Sequence, residues 1–377
     1  MEKLFEILRY AFWGGEPVKV DAEEIDGLIE LAERQTVAGV VADVIMRCNE
    51  YSWEDRKKVR RMVSIINQIS ATNDQVEVEL LRMVKFLSKR QMSFVVMKGQ
   101  TIGTLYPKPK LRESGDVDFY MAQKDEEKII DILSSKTTIE KERNSKHFNF
   151  ESAGVSFELH TRVASFPEKD VQAYFDDIIE QEVAGQTEKV VINGVEVPTL
   201  SPTVNAMYLF VHIFHHFMTD GIGLRQLCDW MLLMHKNKDE IDRQRLGEIL
   251  DKIGYRKAFC AFGCILTEKL GLKEEDFPLP ITDKDRKWLG KLLKDVSKGG
   301  NFGKYKRTVT ESGWKHGFES AGMAFRQYAK FFSLTPKNNI IWAWHTLKLI
   351  PEVAWSKLKG EKVYSKKVKL GPTNANN

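Results

Sequence analysis

The first part of the chain has apolar residues at the spacing of an amphipathic helix. Leu4 and Leu8 are four positions apart, which places them on one helix face. The same spacing resumes after Asp21, a residue type that caps helix N-termini, and continues through a predicted third helix over residues 53–89. The pattern predicts an N-terminal helical region over residues 1–90.

Between residues 91 and 200 the periodicity changes to that of strands. Residues 93–97 form a short apolar run, and residues 116–121 alternate polar with apolar positions, as in half-buried strands. Alternating runs on both sides of residues 153–154 predict a β-hairpin with four apolar side chains on one face. These side chains are Phe148, Phe150, Phe157 and Leu159. A second hairpin is predicted around residues 193–194.

Helical spacing returns after Ser201, where a Ser-Pro pair is typical of a helix start. It predicts a C-terminal helical region over residues 201–355, followed by a basic, flexible tail over residues 356–377. The fold class predicted from these patterns is α+β, with a small mixed β-sheet flanked by N-terminal and C-terminal helical regions. We expect a functional site on the open face of the sheet, facing the helices that follow Ser201.

Composition narrows the class of protein. The 377 residues are 42% hydrophobic, as in globular proteins, and the formal net charge of +4 gives no general indication of binding to long nucleic acids. The four cysteines are interpreted as buried thiols of a cytoplasmic protein. No signal peptide or transmembrane segment is expected, since no apolar stretch reaches about 18 residues. A Trp-rich, then basic segment over residues 338–369 makes peripheral membrane contact a minor alternative to a packed helix.

Two carboxylates stand out within the strand-like run. Asp116 and Asp118 are two positions apart, so in a strand they project from the same face. Carboxylates about 4 Å apart repel by roughly 1 kcal/mol in water, and by several times more near a low-dielectric surface. A divalent cation removes this repulsion, and Mg²⁺ accepts carboxylates, waters and phosphates together. Glu158 is the candidate third carboxylate, because Phe157 and Leu159 on either side of it are apolar.

The segment from Lys98 to Asp118 resembles the active-site block of the DNA polymerase β-type nucleotidyltransferase superfamily. It is most similar to a bacterial family of uncharacterised nucleotidyltransferases that share a Lys-Gly turn, a Leu-Tyr pair and an Arg before Asp-x-Asp. Here these are Lys98-Gly99, Leu105-Tyr106, Arg112 and Asp116-Val117-Asp118. The resemblance extends over about residues 20–235. It implies a nucleotidyltransferase core over residues 91–200 that uses Mg²⁺ or Mn²⁺ to transfer a nucleoside monophosphate from an NTP.

The resemblance also suggests roles for individual residues. The expected metal-binding and catalytic residues are Asp116, Asp118 and Glu158, and the expected nucleotide-binding residues are Lys98, Gly99, Thr101 and Arg112. The superfamily usually has Gly-Ser in the turn, whereas here Gly99 is followed by Gln100 and Thr101. Lys98, Thr101 or backbone N–H groups would then hold the triphosphate. Alternatively, Lys98 is an ordinary strand-end lysine, and Arg112 pairs with Glu113 or Asp116.

Further polar residues are candidates for a supporting role around the site. His212 and His216 have the helical spacing of a zinc pair, but no third ligand follows, so we favour histidines that are buried or face the cleft. His160 is a candidate because it follows Glu158 on the same face, and the alternative is that it only ends the strand. Arg225 is predicted either to pair with Asp229 on a helix surface or to border the nucleotide pocket.

The resemblance does not give the acceptor, which could be a small molecule such as a sugar, a protein side chain or an RNA end. Long nucleic acid is the least favoured acceptor because the chain is nearly neutral. Two alternatives to an NTP-dependent enzyme with an unknown acceptor stay open. One is a non-catalytic nucleotide-binding or regulatory protein that retains the fold, and the other is the modifying partner of a toxin–antitoxin pair.

Overall fold

A computed structural model describes residues 1–142, 147–185, 188–300, 314–344, 347 and 367–370. The N-terminal region is helical, as predicted. Its helices are α1 (Glu2–Trp13), α2 (Ile25–Arg34), α3 (Ala38–Cys48) and α4 (Arg56–Ser88). The predicted face of α1 is buried, since Leu4 and Leu8 are both 0% exposed.

The central sheet has six strands in the order β1-β2-β5-β4-β3-β8. Their bounds are β1 (Phe94–Met97), β2 (Val117–Met121), β3 (Ile139–Glu142), β4 (His147–Ser152), β5 (Val155–His160) and β8 (Lys367–Leu370). The β2–β5 pair is parallel and the other pairs are antiparallel, so the sheet is mixed and the predicted α+β class is confirmed. The strands β6 (Glu188–Ile192) and β7 (Val195–Thr199) form the second predicted hairpin as a separate sheet.

Alternation along the strands divides the sheet into an apolar face and a polar face. The predicted hairpin is confirmed, with Phe148 opposite Leu159 and Phe150 opposite Phe157. These side chains pack with Phe119 of β2 in one core cluster, together with apolar residues of α4. Burying each such side chain contributes about 1.5–3 kcal/mol, which fixes the register and turns the intervening polar residues to the other face.

The first helix after β2 packs on the apolar face through Ile129 and Leu133. Most of the later helices pack on the other face, where Val95, Met97 and Tyr120 share a core cluster with them. The helices after β2 are α6 (Gln123–Ser134), α7 (Lys169–Gly185), α8 (Pro202–Thr219), α9 (Leu224–Lys236), α10 (Arg243–Lys252), α11 (Arg256–Glu268), α12 (Asp283–Arg286), α13 (Leu289–Gly299) and α14 (Trp314–Lys330). The short helix α5 (Gln100–Gly103) lies between β1 and β2. Helix α8 is apolar almost all round, as expected for a helix in the centre of a core.

Two elements of the sheet differ from the sequence prediction. Strand β3 was not predicted, and β8 lies within residues 356–377, which were predicted to be a flexible tail. A sheet edge presents unpaired backbone N–H and C=O groups, and β8 pairs antiparallel with β3 along that edge. The pairing shows that Lys367–Leu370 is held on the sheet, in contrast to the predicted flexibility.

The predicted membrane-contact segment is only partly described. Ile340 and Trp344 are each 58% exposed, and Leu347 is 47% exposed. Much of the range 338–369 lies outside the described residues, so contact with a membrane surface stays a prediction. Within the ranges given above, no helix has the combination of length and apolarity that crossing a bilayer requires.

Candidate active site

Two neighbouring parallel strands bring the acidic residues together. Asp118 of β2 is in register with Glu158 of β5, and Tyr120 is in register with His160. One ligand atom from each of Asp118, Glu158 and His160 lies within 4.8 Å of the others, and among the described residues this is the group able to hold a metal ion. The predicted approach of Glu158 to Asp118 is therefore present in the structure, and His160 joins them.

Asp118 is the most densely contacted member of this group. It is 4% exposed, and its Oδ1 accepts hydrogen bonds from His160 Nε2 at 2.8 Å and from Lys98 Nζ at 3.1 Å. Burial alone would raise the pKa of Asp118, but the Lys98 ammonium and the His160 hydrogen bond outweigh it and lower that pKa. The Asp118 carboxylate is thus held in its charged form, as a cation ligand requires.

His160 contacts both carboxylates of the group. Its Nε2 is 3.4 Å from Glu158 Oε2, in addition to the contact with Asp118. Burial would lower the pKa of His160, but the hydrogen bonds to Asp118 and Glu158 raise it. The sequence predicted only a supporting role for His160, whereas the structure places its ring nitrogen among the candidate ligand atoms.

Asp116 is placed differently from Asp118. It lies one residue before β2, is exposed, and accepts a hydrogen bond from the Ser156 side chain. The pKa of Asp116 is raised because neighbouring residues partly desolvate its carboxyl group and because the negative charges of Glu158 and Asp118 repel its charged form. Asp116 is not part of the compact ligand group, and its role as a metal ligand stays a prediction.

The turn after β1 has a backbone conformation that explains its glycine. Gly99 has φ 58° and ψ −126°, a region that residues with a Cβ rarely adopt. Thr101, a predicted nucleotide ligand, is 2% exposed and donates its hydroxyl to the Lys98 carbonyl at 2.8 Å. Gln100 Nε2 donates to Ser114 Oγ at 2.7 Å. The Thr101 hydroxyl is therefore buried and bonded to the backbone, and its role in nucleotide binding stays a prediction. Lys98 and Gly99 stay as candidates.

Arg112 makes a structural ion pair, and its predicted role in phosphate binding stays a prediction. Its Nε and Nη2 donate to the two carboxylate oxygens of Asp229, both at 2.8 Å, inside the core. Tyr106 donates its hydroxyl to the same carboxylate at 2.8 Å. The predicted pair of Arg225 with Asp229 is wrong: Arg225 Nη1 donates to the Glu113 carbonyl at 2.6 Å. Arg112 binds both oxygens of this carboxylate at once, in the bidentate geometry that a planar guanidinium allows.

The helical histidines lie beside the acidic group and do not form a zinc site with each other. His212 Nε2 of α8 is 3.3 Å from Lys98 Nζ, so α8 forms the wall opposite the sheet. The rings of His212 and His216 are in edge-to-face contact at 4.5 Å between centroids. Burial, followed by the Lys98 charge, lowers the pKa of His212 well below its usual value, so the ring is neutral.

The sequence reasoning missed His147 of β4. It lies opposite His160 in the hairpin, and its Nε2 is 3.9 Å from Glu158 Oε1. The position of His147 could have been inferred from the predicted turn at residues 153–154, because a two-residue turn there pairs residues 147 and 160.

The donor set fits a divalent cation. Two ligand atoms bound at about 2.1 Å to one ion lie about 3 Å apart when they are cis in an octahedral shell. His160 Nε2 is 2.8 Å from Asp118 Oδ1 and 3.4 Å from Glu158 Oε2, close to that separation. An ion between these atoms would require Lys98 to release Asp118 and His160 Nε2 to give up the proton that it donates to that carboxylate.

The match to one protein family agrees with the motif. Over residues 21–271 of the 377, the sequence matches the model of a family described as uncharacterised nucleotidyltransferase, whereas no curated protein matches the chain. Among solved structures, an antigenic nucleotidyltransferase-like protein from Paracoccidioides brasiliensis is 14% identical, with a TM-score of 0.30 over 53% of this chain and 94% of that one. A likeness at that level carries no argument about function. The family match spans more than half of the chain and includes Asp118, Glu158 and His160, so the protein belongs to the family of uncharacterised nucleotidyltransferases.

Proposed function

We propose that the protein transfers a nucleoside monophosphate from an NTP to a hydroxyl acceptor in a reaction that requires a divalent cation, Mg²⁺ or Mn²⁺. The observation that supports it is the compact group of Asp118, Glu158 and His160 on the polar face of the sheet, within the region that matches the family. The acceptor is a small molecule, a protein side chain or an RNA end, with long nucleic acid the least favoured. The buried free cysteines agree with a cytoplasmic location.

The bound cation would supply charge stabilisation for the phosphates, and Asp118, Glu158 and His160 would hold it, with Asp116 at the exposed edge. In the transfer, the acceptor oxygen forms a bond to the α-phosphorus, and the bond from the α-phosphorus to the oxygen bridging to the β-phosphate breaks. Pyrophosphate leaves with that electron pair. A carboxylate of the group accepts the hydroxyl proton, and Glu158 is the better placed, because its side chain is 23% exposed and that of Asp118 only 5%.

A labelling experiment tests this function directly. The full chain is incubated with each of the four NTPs labelled at the α-phosphate, with Mg²⁺ or Mn²⁺, and with small-molecule, protein and RNA acceptors. We expect label on one acceptor class and release of pyrophosphate. Absence of both labelled product and cation-dependent NTP binding would contradict the proposal.

Glu158→Gln is expected to damage the chemical step more than NTP binding. The substitution keeps the shape of the side chain and removes the charge that binds the cation and accepts the proton. We expect the transfer rate to fall by roughly 10²-fold or more, with little change in NTP affinity. Single-turnover kinetics and calorimetry separate the two quantities. Glu151→Gln, an exposed position on the adjacent strand β4, is the matched control and should behave as the wild type.

Lys98→Met is expected to have opposite effects on metal and nucleotide binding. The Lys98 ammonium is 3.1 Å from Asp118 Oδ1, so it competes with a cation for that oxygen. Its loss should strengthen binding of the metal alone, whereas NTP binding should weaken by about tenfold, because one charged contact to phosphate is worth roughly 1.5–3 kcal/mol at most. Calorimetric titrations measure both, with the exposed Lys124→Met of α6 as control. Weaker metal binding in Lys98→Met would show that the ammonium supports the site.

A non-catalytic nucleotide-binding protein is the second candidate function. Gln100 and Thr101 follow Gly99, where the superfamily usually has the phosphate-binding Ser, and both are buried and hydrogen-bonded within the core. Such a protein would bind NTP with a cation but release no pyrophosphate with any acceptor in the labelling experiment. That outcome would favour this candidate over the enzyme.

A further inference from the structure

We propose that the site selects a first-row transition-metal dication over Mg²⁺, and that His160 is the residue responsible. This inference rests on the proposed function, since it concerns the cation of the same site. It goes further by naming the chemical class of the ion and the side chain that determines it.

The position of the His160 ring nitrogen is the first support. Nε2 lies 2.8 Å from Asp118 Oδ1 and 3.4 Å from Glu158 Oε2, so a single atom of the imidazole reaches both carboxylates. An ion that binds one oxygen from each carboxylate, in the place of the Lys98 ammonium at 3.1 Å from Asp118 Oδ1, would lie within reach of this nitrogen. The strand register fixes that geometry, because residues 158 and 160 project from the same face of β5.

The surroundings of the imidazole are the second support. His160 is 9% exposed, and its ring packs against that of His147 at 5.3 Å between centroids. A buried ring between two carboxylates cannot swing away to leave an all-oxygen shell without losing both contacts. A cation that displaces the Lys98 ammonium from Asp118 and the proton from Nε2 therefore meets one nitrogen and two carboxylate groups.

The chemistry of that donor set decides between ions. Mg²⁺ prefers oxygen ligands and keeps several of its waters, so an imidazole ligand adds little to the affinity for Mg²⁺. Imidazole nitrogen binds transition-metal dications more strongly, and the affinity rises from Mn²⁺ to Co²⁺. A shell of two carboxylates and one imidazole therefore favours the transition metals, with Co²⁺ bound more tightly than Mn²⁺.

A different arrangement of the same atoms makes the opposite prediction. If His160 only donates its N–H to Asp118 while oxygens hold the ion, removal of His160 weakens the binding of every cation by a similar factor. If the nitrogen binds the ion, removal of His160 weakens the binding of Co²⁺ far more than the binding of Mg²⁺. The ratio of the two affinities therefore tests the inference, and this ratio does not depend on any transfer activity.

The experiment measures binding of Co²⁺, Mn²⁺ and Mg²⁺ to the full chain by calorimetry, without nucleotide. We expect the wild type to bind Co²⁺ at least about tenfold more tightly than Mg²⁺, and His160→Gln to lose most of that preference. His235→Gln is the matched control, since this histidine lies in the last turn of α9 and contacts Asp276. It should keep the wild-type ratio.

A second measurement on the wild type keeps the inference testable if His160→Gln does not fold. Pulsed electron paramagnetic resonance of the Mn²⁺ form should show coupling to an imidazole nitrogen. Equal affinities for Co²⁺ and Mg²⁺, or Mn²⁺ without nitrogen coupling, would overturn the inference. If either of these results is found while the protein still transfers a nucleoside monophosphate with Mg²⁺, the proposed function stands and only this inference falls. Failure to bind any cation, even with NTP present, would contradict both this inference and the proposed function.

Discussion

Asp118→Asn is expected to abolish the cation-dependent behaviour of this protein. The Asp118 carboxylate is buried, carries the hydrogen bonds from His160 and Lys98, and adjoins Glu158 across the β2–β5 pair. The amide has nearly the same shape but no charge, so it is a poor ligand for a divalent ion. We expect metal affinity to fall by about 100-fold or more, and any transfer rate by roughly 10²–10⁴-fold.

Thermal unfolding gives a measurement that needs no known acceptor. A ligand at about 100 times its dissociation constant stabilises the folded state by about 2.7 kcal/mol, so the wild type should melt at a higher temperature with Mg²⁺, Mn²⁺ or Co²⁺. This rise should vanish in Asp118→Asn and persist in Asp131→Asn, which is exposed on α6. A rise of the same size in Asp118→Asn would show that the cation binds elsewhere.

The centre of the site was predictable because strand alternation is a local property. The sequence around Asp118 and Glu158 alternates polar with apolar residues, and the apolar ones are forced into the core. Once both strands bury the same face, their carboxylates must share the other face. The proximity of Glu158 to Asp118 therefore followed from the pattern and from the expectation that the two strands pair. The N-terminal helices were predictable for the same reason, from their repeated apolar spacing.

The hydrogen-bond partners of Arg112 and Thr101 were not predictable in this way. A guanidinium or hydroxyl next to an active-site motif suggests phosphate binding, yet its partner is decided by residues far away in the sequence. Asp229 lies 117 positions after Arg112 and meets it only because α9 packs against the loop before β2. Similarly, β8 joins the sheet through backbone pairing with β3, which leaves no mark on side-chain periodicity.

Asp229→Asn is expected to destabilise the protein strongly. Arg112 is 5% exposed, and burial would lower its pKa, but the charge of Asp229 raises it, so the guanidinium stays charged. Removing the carboxylate leaves a buried cation without its partner, which costs about 3–5 kcal/mol. Calorimetric and urea unfolding of Asp229→Asn should show this loss. A cost below about 1 kcal/mol would mean that water reaches the pair.

The double variant Arg112→Met, Asp229→Leu separates structural from functional roles for this pair. Replacing both charges with apolar side chains of similar size removes the unpaired ion, so the double variant should be more stable than Asp229→Asn. It should stay below the wild type by about 1–3 kcal/mol, because the buried Tyr106 hydroxyl loses its acceptor. If Arg112 acts only through Asp229 to hold the loop that leads to Asp116, the double variant should bind NTP nearly as the wild type does. If Arg112 contacts phosphate, as the sequence suggested, the variant should fold and yet bind NTP about tenfold or more weakly, because a charged contact to phosphate is missing. Calorimetric titration of NTP against the stable double variant therefore decides which role the arginine has.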